Sequence, residues 1–360
     1  MKRLALILGS LLVVSAAASA KEVVPAPVVV EETPVQIVEK EVIVYREKAP
    51  EWRPSGFLDI QERYYGKTEN QKEGWNPHNQ YGRLQVLGKV QMTENQAIEL
   101  RSRTYQGWNK LDQTKADQFR LRYFYDHGTV GDTKIDAQSM VKYEKNAGGS
   151  QKAEYKLTFD FAEYLFNNDF IKTDTAVVGP RYIYEWEGHG NGYTNTLGLY
   201  MDLINQFPLG FSTEIEVDGL DFNKYQNAID QDGHKKDFTV SVAAKLMHNW
   251  NLYSTDNYSV DWAFEGGYDN FDYSNRKIVK TSAIKALEEL NKDKTYYGVE
   301  RAKYELYAQP SIVLTYNATE FVSLYGAIGA EYRNWAVTAN TEASHWRWQP
   351  YAILGVKTTF

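Results

Sequence analysis

From Gly56 onward, apolar and polar residues alternate in runs separated by turn-rich links. A period of two marks strands whose faces meet different surroundings. In 80–92, Leu84, Val86, Val90 and Met92 share one face, while Arg83, Gln85, Lys89 and Gln91 share the other. In 117–126, Phe119, Leu121, Tyr123 and Tyr125 oppose Arg120, Arg122 and Asp126, with Phe124 as the exception. In 237–247, Phe238, Val240, Val242, Ala244 and Leu246 oppose Asp237, Thr239, Ser241 and Lys245. The segments expected are 56–65, 80–92, 96–105, 117–126, 132–143, 152–163, 172–185, 193–205, 210–219, 237–247, 258–268, 300–316, 320–333 and 345–360. Most lie near the roughly 9–11 residues that a tilted membrane-spanning strand needs. The fold class expected is all-β, a transmembrane antiparallel barrel of about fourteen strands, within a range of about twelve to sixteen.

The links support that class. Those after even-numbered segments are short, as at Thr93-Glu94-Asn95, Phe207-Pro208-Leu209 and Asn317-Ala318-Thr319. Most after odd-numbered segments are long and polar, notably 66–79, 106–116, 220–236, 269–299 and 334–344. Short periplasmic turns alternating with long external loops are the outer-membrane pattern. Within 269–299, the stretch 282–290 places Ile284, Leu287 and Leu290 on one face of a short helix. Pro180, Pro310 and Pro350 count against regular strands, because proline donates no ladder bond.

Composition alone misleads. Mean hydropathy is -0.54 and 24% of residues are charged, which a helix-based scan reads as soluble. A barrel escapes that scan, because only alternate residues meet lipid. Aromatics at 14% suit interfacial belts, with Trp346, Trp348 and Tyr332 at one rim and Phe360 and Tyr316 at the other. There is no cysteine, which excludes disulfides and cysteine-ligated metals. The formal charge of -7 argues against nucleic-acid partners.

At the N-terminus, Lys2-Arg3, the apolar run Leu4–Val14 and Ala18-Ser19-Ala20 have the parts of a secretory signal peptide cleaved near Ala20. Residues 21–50 carry Pro25, Pro27, Pro34 and Pro50 and read as a periplasmic tether or short coiled coil. The barrel would occupy 51–360.

The signal peptide, Lys21-Glu22-Val23-Val24-Pro25-Ala26-Pro27, the spacer ending Val42-Ile43-Val44-Tyr45-Arg46, and an alternating last strand closing on Phe360 resemble the fusobacterial major outer membrane porin. The resemblance implies a trimeric general diffusion porin in the outer membrane, associated with adhesion. Phe360 would then act as the assembly signal. The partners implied are outer-membrane lipid, the barrel assembly machinery, two further copies of the chain, and surface ligands of the external loops. No cofactor is implied.

The face opposite the apolar one holds the candidate pore-lining charges. The basic set is Arg83, Lys89, Arg101, Arg103, Arg120 and Arg122, with Glu99 among them. The acidic set is Glu214, Glu216, Asp218, Asp237, Asp261 and Glu265. In a fourteen-strand barrel the third segment lies across from the tenth, so a basic wall would face an acidic one. Opposed walls set a transverse field across a channel. His78, His127, His189, His234, His248 and His345 fall in links or at segment ends, with no ligand spacing among them and no serine–histidine constellation. An enzyme and a metal site are therefore not expected. An adhesin with a plugged barrel is the competing function, and a soluble periplasmic β protein the third.

Overall fold

The computed structural model describes residues 52–360 apart from 71–79, 108–114, 147, 188–191, 231, 277, 281–301 and 337–342. The expected signal peptide, tether and 282–290 helix lie outside the described residues. The strands are β1 (Ser55–Tyr65), β2 (Tyr81–Thr93), β3 (Gln96–Gly107), β4 (Lys115–Thr129), β5 (Asp136–Lys145), β6 (Gln151–Asp160), β7 (Lys172–Trp186), β8 (Tyr193–Phe207) and β9 (Phe211–Tyr225). They continue with β10 (Ala228–Ile229), β11 (Lys236–Ser254), β12 (Tyr258–Ser274), β13 (Val279–Lys280), β14 (Ala302–Asn317), β15 (Val322–Ala336) and β16 (Ala343–Thr359). The two-residue strands β10 and β13 pair with each other, and the other fourteen form one closed antiparallel barrel. Closure runs through β1 and β16, where Phe57 faces Thr359 and Tyr65 faces Tyr351. Just beyond, Gly56 N–H donates to the Phe360 carbonyl at 2.9 Å, and Phe360 N–H donates back at 3.1 Å. Closure leaves the barrel without an unpaired sheet edge.

Segment boundaries differ from the expected ones where local bonding overrides alternation. β5 starts at Asp136 rather than 132, because Val130 N–H donates to Ile135 O and the chain turns over 130–135. β6 stops at Asp160, whose carboxylate accepts from Ala162 and Ala176 N–H and starts the short 3-10 turn Ala162–Tyr164. β9, β11 and β12 run past 219, 247 and 268. Bulges shift the phase near Asp218, between Val242 and Ala244, and between Tyr268 and Phe271, so a strict period of two loses these strands early.

The three prolines all lie in paired strands, and each occupies a place where one of its ladders stops. The β6–β7 register skips from Lys156↔Arg181 to Phe159↔Val178, bypassing Pro180. A Cβ at the adjacent Gly179 would run into the Leu157 carbonyl, so the chains can approach there only through glycine. The β14–β15 register skips from Ala308↔Tyr332 to Ser311↔Gly329, bypassing Pro310. Pro350 follows the last β1–β16 pair.

The outward face is apolar. Leu58, Ile60, Leu84, Leu100, Leu121, Val141, Leu199, Ile215, Leu246 and Leu314 form an exposed aliphatic band, and Ile328 and Leu354 are 69% and 71% exposed. Aromatic rings flank it. Tyr332 stacks with Trp346 and lies tilted against Trp348 at the end where β15 finishes and β16 begins. Tyr258 stacks on Tyr316, and Phe211 on His248, at the end of the short turns. An aliphatic band between aromatic girdles is the surface of a membrane-spanning barrel. Glu62, between Leu84 and Leu354, is an outward-facing charge within it.

Candidate functional site

The polar face points inward, and ion pairs run around its wall. Glu99 on β3 receives Arg120 Nη2 at 2.7 Å and Arg122 Nη2 at 2.6 Å from β4. Arg101 Nη2 donates to Glu144 on β5 at 3.1 Å. Lys142 lies between Glu144 at 3.9 Å and Glu154 on β6. Arg181 on β7 bridges to Asp221 at 2.5 Å and Asp218 at 3.2 Å on β9. Lys245 on β11 sits 3.1 Å from Glu214. Arg333 on β15 holds Glu331, Glu305 at 2.6 Å and Asp269 at 2.9 Å. Antiparallel neighbours on one face come within reach of each other, so each pair follows from register.

All thirteen candidate charges sit on the inward side. Arg83, Arg101, Arg103 and Arg120 are buried, and Arg122 and Lys89 are half-buried. Lys89 and Arg122 lie over the Phe124 ring at 5.4 and 5.5 Å, which explains why an aromatic breaks the alternation there. Glu214, Glu216, Asp237, Asp261 and Glu265 are buried as well. Asp237 accepts from Asn223, Tyr225 and Ser274. Asp261 accepts from Asn251 and Ser259, Glu216 from Tyr200, and Glu265 from Tyr307. Asp218 occupies the β9 bulge and reaches Arg181 from there.

Sequence reasoning missed Arg63, Arg181 and Arg333, and it left Lys245 out of the candidate charges although alternation put it on the polar face. The first strand carried a usable signal, since Asp59, Gln61 and Arg63 alternate with Leu58 and Ile60. It also missed a histidine contact. His127 Nε2 lies 2.8 Å from Ser139 Oγ, which lies 3.1 Å from the Tyr155 hydroxyl, on the outward face. His127 sits at the bulge between Asp126 and Gly128, where the β4–β5 register skips it. The placement of all histidines in links or at segment ends also needs correcting, because β11 continues six residues beyond His248, to Ser254.

At the mouth with the long connections, a cavity of about 550 Å³ is lined by Glu185, Glu187, Tyr193, Tyr225, Asp237 and Arg276 among others. Asp230, Asp232 and His234 lie close enough together to hold a cation. Arg276 Nη1 already sits 2.7 Å from Asp230 Oδ2 and 2.8 Å from His234 Nδ1, so a guanidinium stands where the ion would. Desolvation, the largest single effect, raises the Asp230 pKa. Bonds from Arg276, His234 and Asp232 outweigh it and hold the carboxyl at about 2, against an ordinary 3.8. A depressed carboxylate adds stability above its unfolded value and loses it as pH falls through the folded one. This contact should therefore persist at pH 3 and loosen towards pH 2. The Asp230 carboxyl carbon shift, followed by NMR, should titrate near pH 2 and move towards 3.8 in Arg276→Gln. A midpoint near 3.8 in the unaltered protein would count against the contact.

No family model and no curated relative matches the chain. Among solved structures, a bacterial polysaccharide outer membrane secretin is 10% identical with a TM-score of 0.40, over 85% of this chain and 98% of that one. The outer membrane channel DcaP of Acinetobacter baumannii is 10% identical with a TM-score of 0.38, over 86% and 96%. The NanC porin is 10% identical with a TM-score of 0.35, over 84% and 100%. At these scores the likenesses carry no argument about what this barrel conducts or binds.

Proposed function

We propose that the chain is an outer-membrane porin, a water-filled channel for passive diffusion of ions and small hydrophilic solutes. The observation that supports it is the inside-out distribution of residues. Large aliphatic side chains are exposed outside while charged ones line the interior, the reverse of a water-soluble barrel. In this reading the basic set on β2, β3 and β4 faces the acidic set on β9, β11 and β12, about half the fourteen-strand circuit away, and sets a transverse field across the lumen. In this reading the short turns are periplasmic and the long connections external. The chain reaches the outer membrane after cleavage near Ala20, inserts through the barrel assembly machinery with Phe360 as signal, and works as a homotrimer in lipid, as the fusobacterial resemblance implies.

A second reading has its own support. Many inward side chains are almost fully buried, among them Asp59, Gln85, Gln309, Glu331 and Gln349, as in a barrel whose lumen is filled. Such a barrel would anchor an adhesin that binds host or bacterial surfaces through the long connections. Planar-bilayer recording of the purified, folded full chain separates the two. The porin should give discrete conductance steps, and neutralising Arg101, Arg103, Arg120 and Arg122 together should shift its reversal potential towards cations. Absence of steps from folded, inserted protein would overturn the channel and leave the anchor.

A further inference from the structure

Among the described residues, arginines face each other directly at three places in the barrel: Arg63↔Arg83, Arg101↔Arg120 and Arg333↔Arg347. Like charges at such positions repel, because the Cβ atoms stand only about 4.5–5.5 Å apart. Two of the pairs are compensated. Arg101 and Arg120 have Glu144 and Glu99. Arg333 has three carboxylates, and Arg347 donates to the carbonyls of Glu69 and Asn70.

The Arg63↔Arg83 pair differs. Arg63 is 1% exposed, and its charge is met by rings, Tyr351 at 4.1 Å and Tyr65 at 4.7 Å. Arg83 is 7% exposed, lies 5.9 Å from the same Tyr65 ring and bonds to the Tyr105 hydroxyl. Next to them on β3, Arg103 is 2% exposed and donates Nε to the neutral Gln85 at 2.6 Å. Among the described residues none of the three makes an ion pair with a carboxylate, and the nearby Glu331 is already engaged by Arg333. Five of their N–H-bearing atoms are buried with no acceptor: Arg63 Nε and Nη2, Arg83 Nε and Nη2, and Arg103 Nη1. Buried guanidinium groups are normally paired, and planar N–H forks match the oxygens of carboxylate, sulfate and phosphate.

The geometry points to an anion-binding site formed by Arg63, Arg83 and Arg103 beneath the long connections, which takes an oxyanion group of a small acidic solute. The inference rests on the porin reading for how the solute arrives, whereas occupancy of the site does not require conduction. The bound oxygens accept the unpaired N–H groups and offset the repulsion across β1–β2. Tyr65, Tyr81 and Tyr351 wall the site, Tyr65 and Tyr81 stacked at 4.3 Å. Three convergent guanidinium groups present several N–H donors and a clustered positive charge, which favours a multivalent oxyanion over chloride.

The test uses the folded full chain in neutral detergent with inorganic sulfate as probe, at constant ionic strength set with chloride. Calorimetry should show one saturable sulfate site, weakened at least tenfold in Arg63→Gln and in Arg83→Gln. Arg347→Gln, which leaves Arg63, Arg83 and Arg103 in place, should bind as the unaltered protein does. Should the glutamine variants fail to fold, the unaltered protein decides, because sulfate should raise its unfolding midpoint above that in chloride. No saturable binding, full binding in both variants, or equal midpoints in the two salts would overturn the site. Sulfate binding by protein that never conducts in bilayers would sink the porin reading and leave the site standing.

Discussion

Replacing Arg333 with Met is expected to destabilise the barrel by about 3 kcal/mol, at the low end of the roughly 3–5 kcal/mol seen when one partner of a buried ion pair is removed. The guanidinium is 2% exposed and is the cation that Glu331, Glu305 and Asp269 share. Without it, three carboxylates contributed by β12, β14 and β15 face one another across the wall. Glu305 and Asp269 are partly open to solvent, which moderates the cost. Arg333→Lys keeps the charge and loses the fork that serves three acceptors, so its loss should be intermediate. Arg347→Met should cost less than either, because the acceptors of its Nη1 are uncharged carbonyls open to solvent. Urea unfolding in micelles measures all three. A loss below about 1 kcal/mol for Arg333→Met would show that water already relieves these carboxylates.

How far the sequence reveals this barrel depends on whether a feature is local. Alternation along one strand is local, so the inward side of Arg83, Arg101 and Arg120 and the outward side of Leu84 and Leu121 are legible without coordinates. Closure of β16 on β1 follows from the strand count and the link pattern. Register is not local, because it joins residues whose separation along the chain carries no pattern. Glu99 is a lone acid among arginines in sequence, and only the β3–β4 register makes it the counter-ion of Arg120 and Arg122. Ser139 meets His127 only because a bulge between Asp126 and Gly128 sets the β4–β5 pairing. Bulges near Asp218 and Tyr268 hid the far ends of β9 and β12 for the same reason. The prolines misled because a proline residue shows that a ladder bond is missing without showing which neighbour has gone.

The outward face offers the sharpest test of the membrane assignment, since lipid and water give different answers for one substitution. Ile328 lies midway along β15, 69% exposed, with Ile312 and Ala352 as its cross-strand neighbours. On a water-facing sheet, Ile328→Arg should change stability by no more than about 0.5 kcal/mol. In a bilayer the same guanidinium near the midplane should cost about 2–4 kcal/mol. Leu354→Arg on β16 is as exposed, yet its cross-strand partner is Glu62. A new arginine there gains a carboxylate in a poorly solvating medium, so its penalty should be smaller than that of Ile328→Arg. Removing the carboxylate in the double variant Leu354→Arg, Glu62→Gln should restore the full penalty. Reversible unfolding from lipid vesicles measures each difference. Near-neutral values for both single substitutions would mean that this face meets water, and the barrel could not then be a membrane channel.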